Sequence, residues 1–191
     1  MPRQITDREK LMLVAGAMGQ QVNNAQATTG VYYDKITSSA ADVTLFEGCN
    51  SRSYPETNLG TNKLPYKNNL VIDFIQFNGV LESGGLPQDW IFSRRVFNQA
   101  YFTLTIGSQD VLKQIPMSGL TISDSQQPWA GDLESVTFVP WTKLVIPSDT
   151  TFKVKIENLN TWEFPGIAQR SNFFLKCTLK GYATIKGGTT Y

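Results

Sequence analysis

Apolar and polar positions alternate with a period of two along most of the chain from about residue 31 onward, the repeat of β-strands rather than helices. Val43-Thr44-Leu45-Phe46 predicts a short strand that stops at Gly48. Leu70 to Val80 predicts the clearest one. Even alternation would put Leu70, Ile72, Phe74 and Gln76 on one face and Val71, Asp73, Ile75 and Phe77 on the other. Both faces are mostly apolar, as in a strand covered on both sides. Further strands are predicted at Ile91 to Phe97, at Ala100 to Ile106, and at Val111 to Ile115 after a Gly107-Ser108 turn. Val136 to Val139 and Lys143 to Ile146 flank Pro140, and Pro147-Ser148-Asp149 makes a turn. Thr151 to Glu157 alternates cleanly, and Asn172 to Ile185 closes the pattern.

That makes eight or nine strands joined by unequal, turn-rich loops, with no βαβ alternation and no fixed repeat. The segment containing Pro55, Gly60 and Pro65, the Glu82 to Pro87 stretch, residues 117 to 132 and the aromatic stretch Trp162 to Gly166 all read as loops. The pattern predicts an all-β fold, an antiparallel sandwich, and within that class a single jelly roll. At 191 residues the chain suits one such domain; a double jelly roll needs about twice that length. The expected organisation is an N-terminal helical arm and linker over 1–30, the sandwich over 31–186 and a polar tail over 187–191.

The only helical pattern lies in residues 4 to about 22. Thr6-Asp7-Arg8-Glu9 has capping-box spacing, and a broad apolar face follows. Ile5, Leu11, Met12, Val14 and Met18 are the candidate contact residues of this arm. Two readings stand: a helix packed on its own domain, or an arm that docks on a neighbouring subunit or a lipid surface. Gln20 to Thr29 is small and polar and reads as a linker. Leu11 to Met18 is far shorter than the ~20 residues that span a bilayer, and no signal peptide is expected.

Charged residues are only 17% of the chain, and Ser, Thr, Asn and Gln supply roughly 30%. Amides and hydroxyls desolvate more cheaply than charges, so such a surface suits extensive protein contact. The net charge of +1 gives no global field for nucleic acid, and no basic run marks a phosphate site. A local basic face is compatible with the sequence but not visible in it.

The chain contains no histidine, which removes histidine-based triads, histidine general bases and histidine metal ligands. Phosphate-binding glycine loops and the Gly-x-Ser-x-Gly elbow are absent too. Asp73 and Glu157 are a carboxylate pair only if folding brings them together; a solvated sheet face is the ordinary reading. Asp124, Asp132 and Glu134 match no calcium-loop spacing. Arg94-Arg95 is a lone basic pair. No catalytic centre, metal or cofactor is expected. Cys49 and Cys177 read as free buried thiols, with one long-range disulfide as the alternative. Trp90, Trp129, Trp141 and Trp162 fall in or beside loops. Trp90, Trp129 and Trp162 are candidate loop contacts, either plugging the ends of the sandwich or stacking on sugars and protein partners.

Thr44-Leu45-Phe46-Glu47-Gly48, Tyr54-Pro55-Glu56-Thr57-Asn58-Leu59, Asn62-Lys63-Leu64-Pro65 and the strand Leu70-Val71-Ile72-Asp73-Phe74-Ile75 follow one another in that order. This succession resembles the opening of jelly-roll capsid proteins of tailless icosahedral bacteriophages, including those with an internal membrane. The resemblance covers residues 43 to 77; downstream only general β character matches, and a second jelly roll is missing. It implies a virion structural protein, a single jelly-roll subunit assembling laterally into a shell, made in the host cytoplasm. The partners implied are copies of itself and other virion proteins, with internal membrane lipid a further candidate and no specific nucleic-acid site. A carbohydrate- or receptor-binding sandwich using the tryptophan loops is the alternative.

Overall fold

The computed structural model describes residues 25–38, 40–65, 68–82, 96–123, 135–159 and 172–186, with Thr6, Glu9 and Met12 of the N-terminal segment. The described residues are almost entirely β. In chain order the strands are β1 (Ala25–Ser38), β2 (Val43–Leu45), β3 (Asn69–Glu82), β4 (Tyr101–Ile106) and β5 (Gln109–Pro116). They continue with β6 (Thr121–Ser123), β7 (Ser135–Phe138), β8 (Leu144–Ile146), β9 (Phe152–Glu157) and β10 (Asn172–Lys186).

All the pairings are antiparallel and they are nested. β1 pairs β10 along its whole length, β2 pairs β9, β3 pairs both β7 and β8, and β4 pairs β5. The first half of the chain thus lies against the second half as a folded ribbon. Two further pairings, β10 with β3 and β9 with β4, close that ribbon into two sheets. The first sheet has six strands in the order β1-β10-β3-β7-β6, with β8 also against β3; the second runs β2-β9-β4-β5.

The sheets bury their facing sides against each other as a sandwich. Leu70, Ile72, Ile75, Phe77, Leu175, Cys177 and Leu179 of the first sheet are fully buried. They meet Leu45, Phe102, Leu104, Phe152, Val154 and Ile156 of the second. Phe77 and Phe102 centre the core with ring centroids 4.9 Å apart, and Phe138 stacks edge-on to Phe102 at 5.3 Å. The fully buried rings of Phe77 and Phe102 each contribute about 1.5–3 kcal/mol through burial.

β3 departs from even alternation because it carries an extra residue. Its register to β10 shifts between Lys180 and Gly181, so Phe74 faces Lys180 while Ile72 faces Gly181 and Asp73 has no partner position. This bulge keeps Leu70 and Ile72 on the core side together with Ile75 and Phe77, and turns Phe74 outward. Gly181 makes it possible, since a Cβ there would collide with the Val71 carbonyl oxygen.

Three other expectations need correction. β1 begins at Ala25, inside the stretch read as linker, because pairing with β10 satisfies its backbone despite the small polar side chains. β6 lies within the predicted 117–132 loop and is held by β7. The described part of the Ile91 to Phe97 strand, Val96 and Phe97, instead begins a turn in which the Ala100 amide donates to the Phe97 carbonyl at 3.1 Å. Both side chains still enter the core, Phe97 packing edge-on to Phe77 at 6.2 Å. Near the N-terminus the capping-box bonds are formed: the Thr6 amide donates to Glu9 at 2.8 Å and the Glu9 amide to the Thr6 hydroxyl at 3.3 Å. Glu9 and Met12 are helical, and the rest of the helix pattern lies outside the described residues.

Candidate functional site

A strand at a sheet edge exposes unpaired amides and carbonyls, and a protein must either use that edge or cover it. On β1 the loop after β2 covers it. The Asn58 side chain accepts from the Tyr33 amide at 2.8 Å and donates to the Val31 carbonyl at 2.7 Å. The Lys35 amide donates to the Glu56 carbonyl at 2.7 Å, and the Thr57 hydroxyl to the Tyr33 carbonyl at 3.0 Å.

A buried polar cluster anchors this loop. Asp34 points into the sandwich and is fully buried. It accepts from the Phe46 amide at 2.6 Å and from Arg52 Nη2 at 2.5 Å and Nε at 3.2 Å. Burial raises its carboxyl above the ordinary value, and the Phe46 amide and Arg52 pull it partly back. The amide bond also fixes Phe46 in a left-handed conformation, φ 66°, that a bulky residue seldom adopts. Cys49 and Cys177 are free thiols buried beside this cluster. Burial raises both, Cys177 strongly, with the Asp34 charge adding to the effect, so neither is an activated nucleophile.

The remaining edges are blunted differently. β2 and β6 have three residues each. β5 is irregular: its register to β4 shifts twice, and Gln114 has a φ of 48°.

Apolar side chains stand free elsewhere. Between β7 and β8, Trp141 is 94% exposed and Val139 61%. Tyr54, in the loop along β1, is 81% exposed. At one end of the sandwich an open groove of about 370 Å³ is lined by Asn98, Gln99, Tyr101, Pro116, Ser118 and Asn158, all uncharged.

The outer face of the first sheet has a different character. Reading across β1, β10 and β3, its outward residues form rows: Lys35, Lys176 and Asn78; then Tyr33, Thr178 and Gln76; then Val31, Lys180 and Phe74. Phe174 lies beyond the first row and Tyr182 beyond the last. Each lysine sits over a ring: Lys176 over Tyr33 at 4.9 Å, Lys180 over Phe74 at 5.3 Å and Lys35 over Phe174 at 5.6 Å. Such exposed contacts are worth about 0.5–1 kcal/mol each.

Of the sequence-derived candidates, Met12 is half-exposed, and Ile5, Leu11, Val14 and Met18 lie outside the described residues, as do Trp90, Trp129 and Trp162. Arg94, Arg95, Asp124, Asp132 and Glu134 also lie outside them. The fold does not pair Asp73 with Glu157. They sit on different sheets, Asp73 2.9 Å from Lys143 and Glu157 2.6 Å from Lys155. Among the described residues no cluster of acids and cysteines could hold a metal, and no helix is long and apolar enough to cross a membrane. The edge-covering loop and the lysine face escaped the sequence reading, because their residues come from segments far apart in the chain. Comparison with protein-family models, curated proteins and solved structures finds no match.

Proposed function

We propose that this chain is a single jelly-roll capsid subunit that assembles laterally into an icosahedral phage shell. The nested strand order carries the reading. In a jelly roll an antiparallel ribbon of eight strands is wound into two four-stranded sheets. Here β1, β10 and β3 with the broken strand β7–β8 supply one set of four, and β2, β9, β4 and β5 the other, with β6 as an addition.

The surfaces support assembly through side chains. A closed shell needs fixed angles between subunits, whereas open strand edges add further strands without limit. The covered β1 edge and the irregular β5 edge disfavour strand addition, while Trp141 and Val139 offer apolar anchors for a neighbouring subunit. The N-terminal segment, with its Thr6–Glu9 capping box, is the proposed assembly arm, docking on a neighbour or on internal membrane lipid. The test is the mass of the chain in solution, followed by electron microscopy of any particles. Symmetric oligomers or shells support the reading, and a monomer at every concentration rejects it.

The groove at the end of the sandwich favours a second reading, a carbohydrate-binding module. Neutral amides beside the half-exposed Tyr101 suit sugar hydroxyls and a sugar ring face. A glycan screen with no binding removes it.

A further inference from the structure

We propose that the outer face of the β1-β10-β3 sheet binds single-stranded nucleic acid, its lysines taking phosphates and its rings taking bases. The starting point is an unfavourable pairing. Lys35 and Lys176 lie directly opposite each other on neighbouring strands, an arrangement that like-charge repulsion penalises. Lys180 lies on the same face of β10, one row beyond Thr178. No described carboxylate makes an ion pair with any of the three.

The second sheet shows the contrast. There Lys153 lies 3.6 Å from Glu47 and Lys155 2.6 Å from Glu157, so these two lysines of β9 each have a carboxylate partner. Among the described residues, then, a chain with a net charge of only +1 gathers three lysines without a carboxylate partner on one face of one sheet. A concentration of unpaired cations is complementary to a polyanion.

The rings decide which polyanion. Tyr33, Phe74 and Phe174 are half-buried, fixed by the sheet, and interleaved with the cationic positions. Successive rows on one strand lie about 6.7 Å apart, twice the rise per residue. The rings stand on three different strands, Phe174 two rows from Tyr33 and Tyr33 one row from Phe74, so a single strand would reach them by crossing the sheet diagonally. Stacking on rings requires unpaired bases, which a duplex hides and a single strand presents. The lysine–ring contacts hold the ammonium groups over the face until phosphates arrive. Thr178, Gln76 and Asn78 break the rings into separate patches, whereas insertion into lipid calls for a continuous apolar surface. The free apolar side chains Val139 and Trp141 lie outside these rows.

The proposal is independent of shell formation, and its test is made on the full chain in whatever oligomeric state it adopts. Fluorescence anisotropy with a labelled oligothymidylate of about 16 nucleotides, a length near one binding site, measures affinity across a salt series. Binding by the unaltered chain is expected, weakening as salt rises. The triple variant Lys35→Gln, Lys176→Gln, Lys180→Gln should bind on the order of 100-fold more weakly at about 0.1 M salt, with a log–log salt slope shallower by about 2. Tyr33→Leu with Phe174→Leu should weaken binding roughly tenfold and leave that slope unchanged. The control triple Lys113→Gln, Lys153→Gln, Lys155→Gln on the second sheet should bind as the unaltered chain does. Circular dichroism melting verifies that each variant is folded. Absence of binding by the unaltered chain, or equal loss in both lysine triples, overturns the proposal. So does lysine-dependent flotation with phosphatidylserine vesicles without oligonucleotide binding, which would reassign the face to lipid.

Discussion

The side chain of Asn58 lies along the outer edge of β1 as a strand backbone would, accepting from the Tyr33 amide and donating to the Val31 carbonyl. One residue of a loop thereby closes the middle of a fourteen-residue edge strand. Asn58→Ala removes both bonds and reopens the edge. The expected loss is about 1–2 kcal/mol of stability, with faster aggregation on warming, read by urea titration and light scattering.

Gly181 is required by the backbone opposite it. A methyl group there would collide with the Val71 carbonyl at the bulge that sets which side of β3 faces the core. Gly181→Ala should cost at least about 3 kcal/mol or prevent folding. The outward change Thr37→Ala on β1 should stay within about 0.5 kcal/mol. Thermal melts of the two variants give the comparison.

Trp141 contributes nothing to the core, being almost wholly exposed. Trp141→Ala should leave thermal stability within about 0.5 kcal/mol of the unaltered chain. As an interface anchor it should instead weaken self-association by about 2 kcal/mol, roughly 30-fold, in sedimentation equilibrium.

Cys177 links stability to alkaline pH. Burial, with the Asp34 charge adding, holds its thiol well above the ordinary 9.0. The unfolded thiol ionises near that ordinary value, while the native one keeps its proton to higher pH. Between the two the native state binds more protons, so stability is full below about pH 9 and falls as pH rises above it. The loss approaches about 1.4 kcal/mol per pH unit. Cys177→Ala should flatten this alkaline slope in urea titrations across that range, whatever it does to stability at neutral pH.

Much of the fold was legible because period-two alternation survives wherever one side of a strand is buried. In the alternating stretch Thr151 to Glu157 the apolar positions Phe152, Val154 and Ile156 all face the core, and so do Phe102 and Leu104 in the strand predicted over Ala100 to Ile106. Alternation failed at Asp73, where the extra residue is set by Gly181, more than a hundred positions away, and no local pattern announces it. It failed at Val96 and Phe97, which are apolar because they seal one end of the core rather than because they lie in a strand. The candidate surfaces were less legible still. Lys35 and Lys176 are unremarkable in sequence and become neighbours only through the β1–β10 register. Asn58 lies in a stretch rich in turn formers, and its role depends on where β1 passes.

Lateral assembly is decided by the absolute mass of the protein in solution. Light scattering behind a sizing column, over a range of protein and salt concentrations, should give trimers, pentamers, hexamers or shell-sized particles built from the 21.3 kDa chain. A strict monomer of 21.3 kDa at every concentration would rule out a shell subunit.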